Sequence, residues 1–485
     1  MRVKSFYVLA VPAIFMIMWN SSCVTTKKTV WTPEKELPAQ FPGDHDTTEN
    51  LALQTRDKFF TDPYLQQLIA KVLTHNPDML MAMKRVEMAA SYLKMSRNAL
   101  WPSLSAQVTA GATKYGKYTI DGVGNFDTNL SPNIDENQKT PVDPTPDVWM
   151  GLRTSWEIDL WGKLSNMKEA AKHRFLATEQ GKNLIKASLV TQTALLYYEL
   201  IALEKEKEII HKHVQLQEQA LEIVEAQSMG GRATQLAVQQ FKASLLNTKA
   251  IALQIQKRIK TTENQLNALA GQYSGEIAYT NKSLLPDSVQ SILEVGVPAQ
   301  LLLHRPDLQQ AHAELIASRA DAKAAKAAFF PSVNISAYTA FHAFKPELWL
   351  NPASLSYSFL SGLTAPIFQH KQIREQFKIA TAAQEVAVLQ YQKTALQAYK
   401  EVITLLQEIN TDRTIRTLKQ QEVSALEEGI QAANDLYLAG YASYLEIVTA
   451  QKSKLEAELQ LLDTERQMVT SMLLLYQSLG GGWQK

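Results

Sequence analysis

The chain is poor in several things, and each absence narrows what it can be. It has one cysteine in 485 residues, Cys23, so no internal disulfide framework or paired-thiolate site can form. Its net charge is +1 at pH 7, without the basic surplus that nucleic-acid binding draws on. Past the N-terminal leader no stretch reaches roughly 18 uninterrupted apolar residues, which excludes an ordinary membrane-spanning helix there. There is no GxSxG, no HExxH and no phosphate loop, and the carboxylates lack a nucleophile signature beside them. The chain is therefore not expected to be an enzyme, and no cofactor, metal site or nucleic-acid partner is expected. Proline is missing between Pro146 and Pro286 and again after Pro366, which leaves two long tracts free to be helical.

The chain says the same thing twice. "NPDMLMAMKRVEMAASYLKMSRNALWPSLS" from Asn76 aligns without a gap on "RPDLQQAHAELIASRADAKAAKAAFFPSVN" from Arg305, Pro77 on Pro306 and Pro102 on Pro331. Each is followed by alternating, strand-like sequence and then by one of the proline-free tracts. Each tract ends alike, "LNALAG" to Gly271 and "YQSLGG" to Gly481. A repeat of this length is a duplicated β-β-α-α module rather than a solenoid unit. The expected first repeat is 61–271, with strands about 103–118 and 148–160 and helices 163–228 and 232–270. A connector follows at 272–300. The second repeat is 301–482, with strands about 332–343 and 354–367 and helices 371–438 and 441–479. Helical sequence opens near Asp62-Pro63, a capping residue with proline in the first turn. Glycines punctuate the helix joins at Gly230, Gly231 and Gly440, as helical hairpins require. A helix of nearly 70 residues is roughly 100 Å long, beyond any globular core, and its Ala, Gln, Leu, Glu and Lys content suits coiled-coil packing.

The strands alternate cleanly. Met150, Leu152, Thr154, Trp156, Ile158 and Leu160 share one face; Gly151, Arg153, Ser155, Glu157 and Asp159 share the other. Leu104, Ala106, Val108 and Ala110 do the same in the first strand, and Val333, Ile335, Ala337 and Phe341 with Leu355, Tyr357, Phe359 and Leu363 in the second repeat. Trp101, Trp149, Trp156 and Trp161 gather in or near these strands. Such a pattern fits tilted strands crossing a bilayer between aromatic girdles. The segment Lys114–Asp147, rich in Gly, Asn, Asp and Pro, reads as a long outward loop. Four strands cannot close a barrel, and an open edge cannot lie in lipid. Other copies must complete it: two give eight strands, three give twelve and room for a pore.

The N-terminus carries its own signals. Arg2 and Lys4 precede an apolar run from Phe6 to Trp19, then "NSSC", the layout of a secretory signal over residues 1–22. Cys23 after small residues resembles a bacterial lipobox, with Asn20 the departure from its pattern, and is the expected lipidation site. Residues 23–60 read as a lipid-anchored extended tether.

At "GVPAQLLLHRPDLQQAHAELIASRADAKAAKAAFFPSV" (296–333) and "LYLAGYASYLEIVTAQ" (436–451) the chain resembles the TolC-like outer-membrane efflux proteins, in their lipoprotein branch (NodT and OprM types). The match runs from about residue 60 to the C-terminus. The resemblance implies an α+β membrane protein whose trimer forms a twelve-stranded barrel on an α-helical barrel. It implies a passive duct for drugs, toxic compounds or metals, partnered by a periplasmic adaptor, an inner-membrane transporter of the RND type, and outer-membrane lipid. A type I protein-secretion duct, or a lipid-anchored coiled-coil protein with no pore, are the rival readings. The family closes its periplasmic end at the turn between the last two long helices. Carried over, Leu445 falls on an apolar constriction position and Glu446 on an acidic aperture position, while Thr449 stands where many relatives have a second carboxylate. Tyr437 matches an aromatic that latches neighbouring helices, but the usual arginine partner falls at Ala442. His211 and His213, two residues apart, read as part of a solvated helix face. Met81, Met88 and Met95, at heptad spacing, read as a packing stripe rather than a metal relay.

Overall fold

The computed structural model describes residues 56–141, 143–280, 304–366 and 370–484. The chain divides into two compact units, Met1–Ala39 and Gln40–Lys485, and every described residue lies in the second. The signal segment, Cys23, the tether as far as residue 55 and most of the connector lie outside the described residues.

A single helical turn, Arg56–Phe59, opens the described chain and leads to buried Phe60, so the extended tether expected over 23–60 does not reach residue 60; two short helices follow, α1 (Pro63–His75) and α2 (Pro77–Asn98). Both start on a side-chain cap followed by proline: Asp62 accepts from the Tyr64 amide, and Asn76 from Asp78 and Met79. These caps satisfy donors that helix starts leave unpaired. Strand β1 (Ser103–Thr113) follows, then a loop carrying the short helix α3 (Ile120–Thr128), then β2 (Thr145–Ile158). The long hairpin α4 (Lys163–Met229) and α5 (Gln235–Leu269) completes the first repeat. The second repeat runs α6 (Pro306–Ala327), β3 (Ser332–Ala343), β4 (Leu355–Thr364), α7 (His370–Leu438) and α8 (Tyr444–Ser478).

The strands form one antiparallel sheet in the order β1-β2-β3-β4. Its register places Val108 opposite Met150, Met150 opposite Phe341, and Phe341 opposite Leu355. Directly paired residues share a face, so the four apolar faces fuse into one. It stays exposed along Leu104, Val108, Leu152, Leu355, Phe359 and Leu363. The helices repeat this order: α2 packs on α4, α4 on α6, and α6 on α7.

All four long helices end in the same hydrogen-bond pattern, with glycine in the left-handed region at Gly231, Gly271, Gly440 and Gly480 (φ 71°, 68°, 82° and 94°). The next amide reaches back to the helix at 2.8 to 2.9 Å: Arg232 to Gln227, Gln272 to Asn267, Tyr441 to Leu436 and Gly481 to Tyr476. A Cβ in that conformation is strained. Gly480, and not Gly481, is thus the counterpart of Gly271, and the sequence alignment of the two endings shifts by one residue. The correction is mechanical: a Cβ on Gly271 would lie 2.7 Å from the His75 carbonyl, and one on Gly480 3.1 Å from that of His304, the residue 229 further on. Asn76 and Arg305, also at equivalent positions, tie each short helix to the end of its hairpin. Asn76 donates to the Leu269 carbonyl at 3.0 Å, and Arg305 to the Ser478 carbonyl at 3.0 Å.

The hairpins' second helices begin at Gln235 and Tyr444, three residues later than the hydrophobic pattern suggests, because Thr234 and Ser443 act as N-caps. β1 is shorter than expected because the chain turns at Gly116 towards α3, whose cap Thr119 accepts from the Gly122 amide. No described helix is long and apolar enough to cross a membrane.

Candidate functional site

Two parts of the molecule carry functional geometry: the sheet and the far end of the long hairpins. Opposite its apolar face the sheet is polar. The Arg153 guanidinium lies 4.8 Å from the Trp149 ring centre, Trp149 meets Tyr338 edge-on at 6.0 Å, and the His342 imidazole is 2.6 Å from the Asp147 carboxylate. Trp149 is buried on this polar face, so it does not belong to an aromatic girdle. The other three tryptophans gather where the sheet meets the helices. Trp156 donates to the Leu100 carbonyl at 2.9 Å, Trp161 donates to that of Pro331 at 2.7 Å and stacks on Phe330, and Trp101 is exposed. The outward loop is more ordered than its composition suggests. Asn129 and Thr140 clamp it by two hydrogen bonds, and Lys345 donates to the Glu136 carbonyl.

At the far end, the turns at Gly231 and Gly440 lie side by side. Val224, Ala237, Val238 and Phe241 of the first hairpin form a small core that receives Tyr444 and Val448 of the second. The Tyr437 hydroxyl donates to the Gln227 side-chain oxygen, joining α7 to α4. Alternation of residue types gave no hint of this partner, since Gln227 lies 210 positions away. Leu445 is 54% exposed at the start of α8. Glu446 is also exposed, and the Ser443 hydroxyl donates to it and holds its carboxyl below the usual range. The helix N-terminus adds to the preference for the charged form. Neither residue packs into the chain's own core.

Between tip and sheet the hairpins are bolted by polar contacts. His213 is only 4% exposed and lies 2.7 Å from the Glu458 carboxylate of α8, contrary to the solvated face expected from sequence. His211 remains exposed, bonded to Gln215 on its own helix. Higher up, Arg258 and Arg466 both pair with Glu199, at 3.2 and 3.1 Å. At the belt where α1, α6 and the hairpin ends meet, buried Arg305 pairs with Asp307 at 2.8 Å and Glu401 at 2.9 Å. There Phe59 stacks on Tyr476 at 3.9 Å, and the Tyr197 hydroxyl donates to Asp62 at 2.7 Å. Burial, with Asp62 accepting its proton, pushes the Tyr197 phenol up, so it remains a donor. Among the described residues no cluster of His, Cys, Asp or Glu could hold a metal ion.

The family model for the outer membrane efflux proteins matches residues 68–272 and 297–481, the two repeats in turn. The chain belongs to the outer membrane efflux protein family. It is 28% identical to the cation efflux system protein CusC of Escherichia coli O6:H1 over 461 residues, covering 93% of this chain and 94% of that one. It is 27% identical to the solvent efflux pump outer membrane protein SrpC of Pseudomonas putida, again over 93% and 94%. It is 25% identical to the probable outer membrane lipoprotein SilC of Salmonella typhimurium over 98% of each chain. A crystal structure of CusC superposes with a TM-score of 0.77 at 25% identity, covering 93% of this chain and 99% of that one. This efflux protein is thus an outer-membrane channel component. Family membership accounts for the fused apolar face as its lipid-facing surface.

Proposed function

We propose that three copies of the chain form the outer-membrane exit duct of a tripartite efflux assembly. The observation that carries this reading is the single sheet with β1 and β4 at its edges and one face predominantly apolar. In lipid those edge amides and carbonyls would each lack a partner, at several kcal/mol apiece. A threefold ring pairs β4 of one copy with β1 of the next and closes twelve strands, wide enough for a lumen. The hairpins then form a tube whose far end lies in the periplasm. There Leu445 and Glu446 project from each copy, the former as an apolar constriction, the latter as a ring of negative charge that attracts cations. The turns at Gly231 and Gly440 meet a periplasmic adaptor, and an inner-membrane transporter of the RND type supplies the energy. Cys23 carries the lipid anchor, as the name of the lipoprotein relative suggests. The cargo is small: drugs, toxic compounds or metals. The relatives are named for cations in one case and solvents in another, which fits a duct whose selectivity resides in its pump.

Native mass spectrometry in detergent, followed by single-channel recording in planar bilayers, tests the reading. A trimer with discrete conductance is expected. A folded monomer as the dominant species, or a trimer that conducts nothing, overturns it.

A further inference from the structure

The polar face of the sheet is almost without charge. Among Asp, Glu, Lys, Arg and His, the four strands hold only Asp147, Arg153, Glu157 and His342. All four lie on that face. Asp147, Arg153 and Glu157 are each an even number of residues from Trp149, and His342 pairs directly with Trp149. Three of them have partners. Asp147 and His342 meet at 2.6 Å, and Glu157 pairs at 2.7 Å with Lys163 at the start of α4. The Arg153 guanidinium makes no hydrogen bond or ion pair with any described residue. Across the sheet its row carries only hydroxyls: Ser105 on β1, Tyr338 on β3 and Ser358 on β4.

Trp149 holds this cation in place. The two residues are four apart, about 14 Å along the strand, yet the guanidinium lies 4.8 Å from the ring centre. Their side chains lean towards each other over Gly151, which has none of its own; a Cβ there would collide with that of Ala340. An arginine seated on an indole is fixed electrostatically while its N–H groups stay open to a ligand.

We infer that three copies of Arg153 form a positive collar inside the barrel that favours anions and cargo bearing a carboxylate or phosphate. This rests on the trimeric reading above, in which the polar face lines the lumen. Rings of arginine or lysine select anions in pores, as rings of carboxylates select cations. The collar is electrically separate from the carboxylates on either side. Asp147 and Glu157 lie four to six residues from the level of the guanidinium, roughly 14 to 20 Å along the strand. At a strand tilt of about 40° that is roughly 10 to 16 Å along the axis. The Debye length at physiological ionic strength is about 8 Å, so neither carboxylate cancels the collar. The duct therefore has two charged rings of opposite sign in series, Glu446 at the tip and Arg153 in the barrel. Of the cargo classes named above, the collar favours organic anions over free metal cations.

The test is the reversal potential of the full-length trimer in planar bilayers under a KCl gradient. Every chain carries Leu445→Ser and Glu446→Gln, so that the tip neither limits the current nor selects. With Arg153 in place this channel should prefer chloride to potassium. Arg153→Gln should lower the chloride-to-potassium permeability ratio several-fold, Arg153→Glu should invert the preference, and Arg153→Lys should keep its sign. Raising the salt from about 0.1 to 1 M shortens the Debye length from about 10 to 3 Å, and should erase the preference without any substitution. A conducting trimer that prefers potassium with Arg153 in place overturns the collar and leaves the duct standing. So does a ratio that is the same in Arg153→Gln, or one indifferent to salt. Loss of the preference in Arg153→Lys shows that packing and not charge is responsible, and also overturns it. A monomer, or a trimer that conducts nothing, overturns duct and collar together.

Discussion

Tyr437→Phe removes one hydroxyl and keeps the ring. In the native chain that hydroxyl donates to Gln227, across from the second hairpin to the first. The bond is neutral and only partly buried, so its net worth is about 1 kcal/mol. That is about a fivefold change if one hairpin swings out alone. If all three hairpins of a ring must part together, three bonds break and about 3 kcal/mol is lost, which is more than a hundredfold. The remaining contacts at the tip, the packing of Tyr444 and Val448 into the Val224–Phe241 core, are untouched, so the fold should persist. Open probability in single-channel recordings reads the effect directly, and the two magnitudes distinguish concerted from independent opening. Gln227→Leu should reproduce it. Because both changes remove the same bond, the double variant should open no more than either single one. Open probability within twofold of the parent in both single variants refutes the claim that this bond restrains the tip, and strictly additive effects refute the claim that the two residues act on each other.

Leu445→Ser should raise resting conductance and admit bulky antibiotics to cells expressing it, whereas Glu446→Gln should lower cation preference with a smaller change in conductance. Parent-like recordings from both would place the aperture elsewhere. Arg305→Met leaves Asp307, Glu401 and the Ser478 carbonyl without their shared partner, and should cost about 3 kcal/mol or more of stability in thermal unfolding. Cys23→Ser should abolish labelling by a palmitate analogue, and retained labelling would exclude acylation at that site. Glu458 titrates under opposed influences: burial raises its carboxyl, but the His213 hydrogen bond and the charges of His213 and Lys454 prevail and lower it. A lowered native pKa stabilises the fold above the ordinary carboxylate range, and that stability is lost as pH falls through the native value. Glu458→Gln should therefore flatten the stability loss seen below about pH 4, and an unchanged acid limb would show the pair to be energetically silent.

Much of this architecture was legible because its signals are periodic. The strands alternate, and the register of the sheet brings each alternating face onto the next, Val108 to Met150 to Phe341 to Leu355. The long helices were marked by absence of proline, and their ends by glycines whose positive φ the hairpin turn demands. What alternation and spacing could not supply is which distant side chains meet. His213 read as solvated because, two residues from His211, it shares no helix face with it, yet the crossing of α8 buries it against Glu458. Trp149 looked like a girdle residue because tryptophans near strands usually are, but strand parity puts it beside Arg153 on the polar side. Gly481 looked like the partner of Gly271 because letters align more readily than backbone conformations. The loop helix α3 was hidden by its glycines, Gly122 and Gly124, which argue against helix on propensity alone.

The distribution of bond types along the molecule bears on how such a duct could open without falling apart. At the belt, Arg305 makes four hydrogen bonds to two carboxylates and a carbonyl, and Phe59, Phe60 and Tyr476 lock ring on ring. Charge-assisted, multidentate bonds among buried groups cannot be exchanged for water cheaply. Midway, the two hairpins are joined by the hydrogen-bonded pair of His213 with Glu458 at 2.7 Å and by the ion pair of Arg466 with Glu199 at 3.1 Å. At the tip, ion pairs such as Lys249 with Glu218 and Lys454 with Glu427 hold each hairpin within itself, and the described contacts between the two hairpins are a neutral hydrogen bond and a small apolar cluster, while Leu445 and Tyr441 stay exposed. Local opening follows the gradient of local stability, so thermal motion or a docking partner should separate the two hairpins from the tip inward and stop at the first polar bolt between them. The segment free to move is therefore bounded by His213 and Glu458, 17 residues above Gly230 and 18 above Gly440, which at 1.5 Å per residue is about 26 Å of each hairpin.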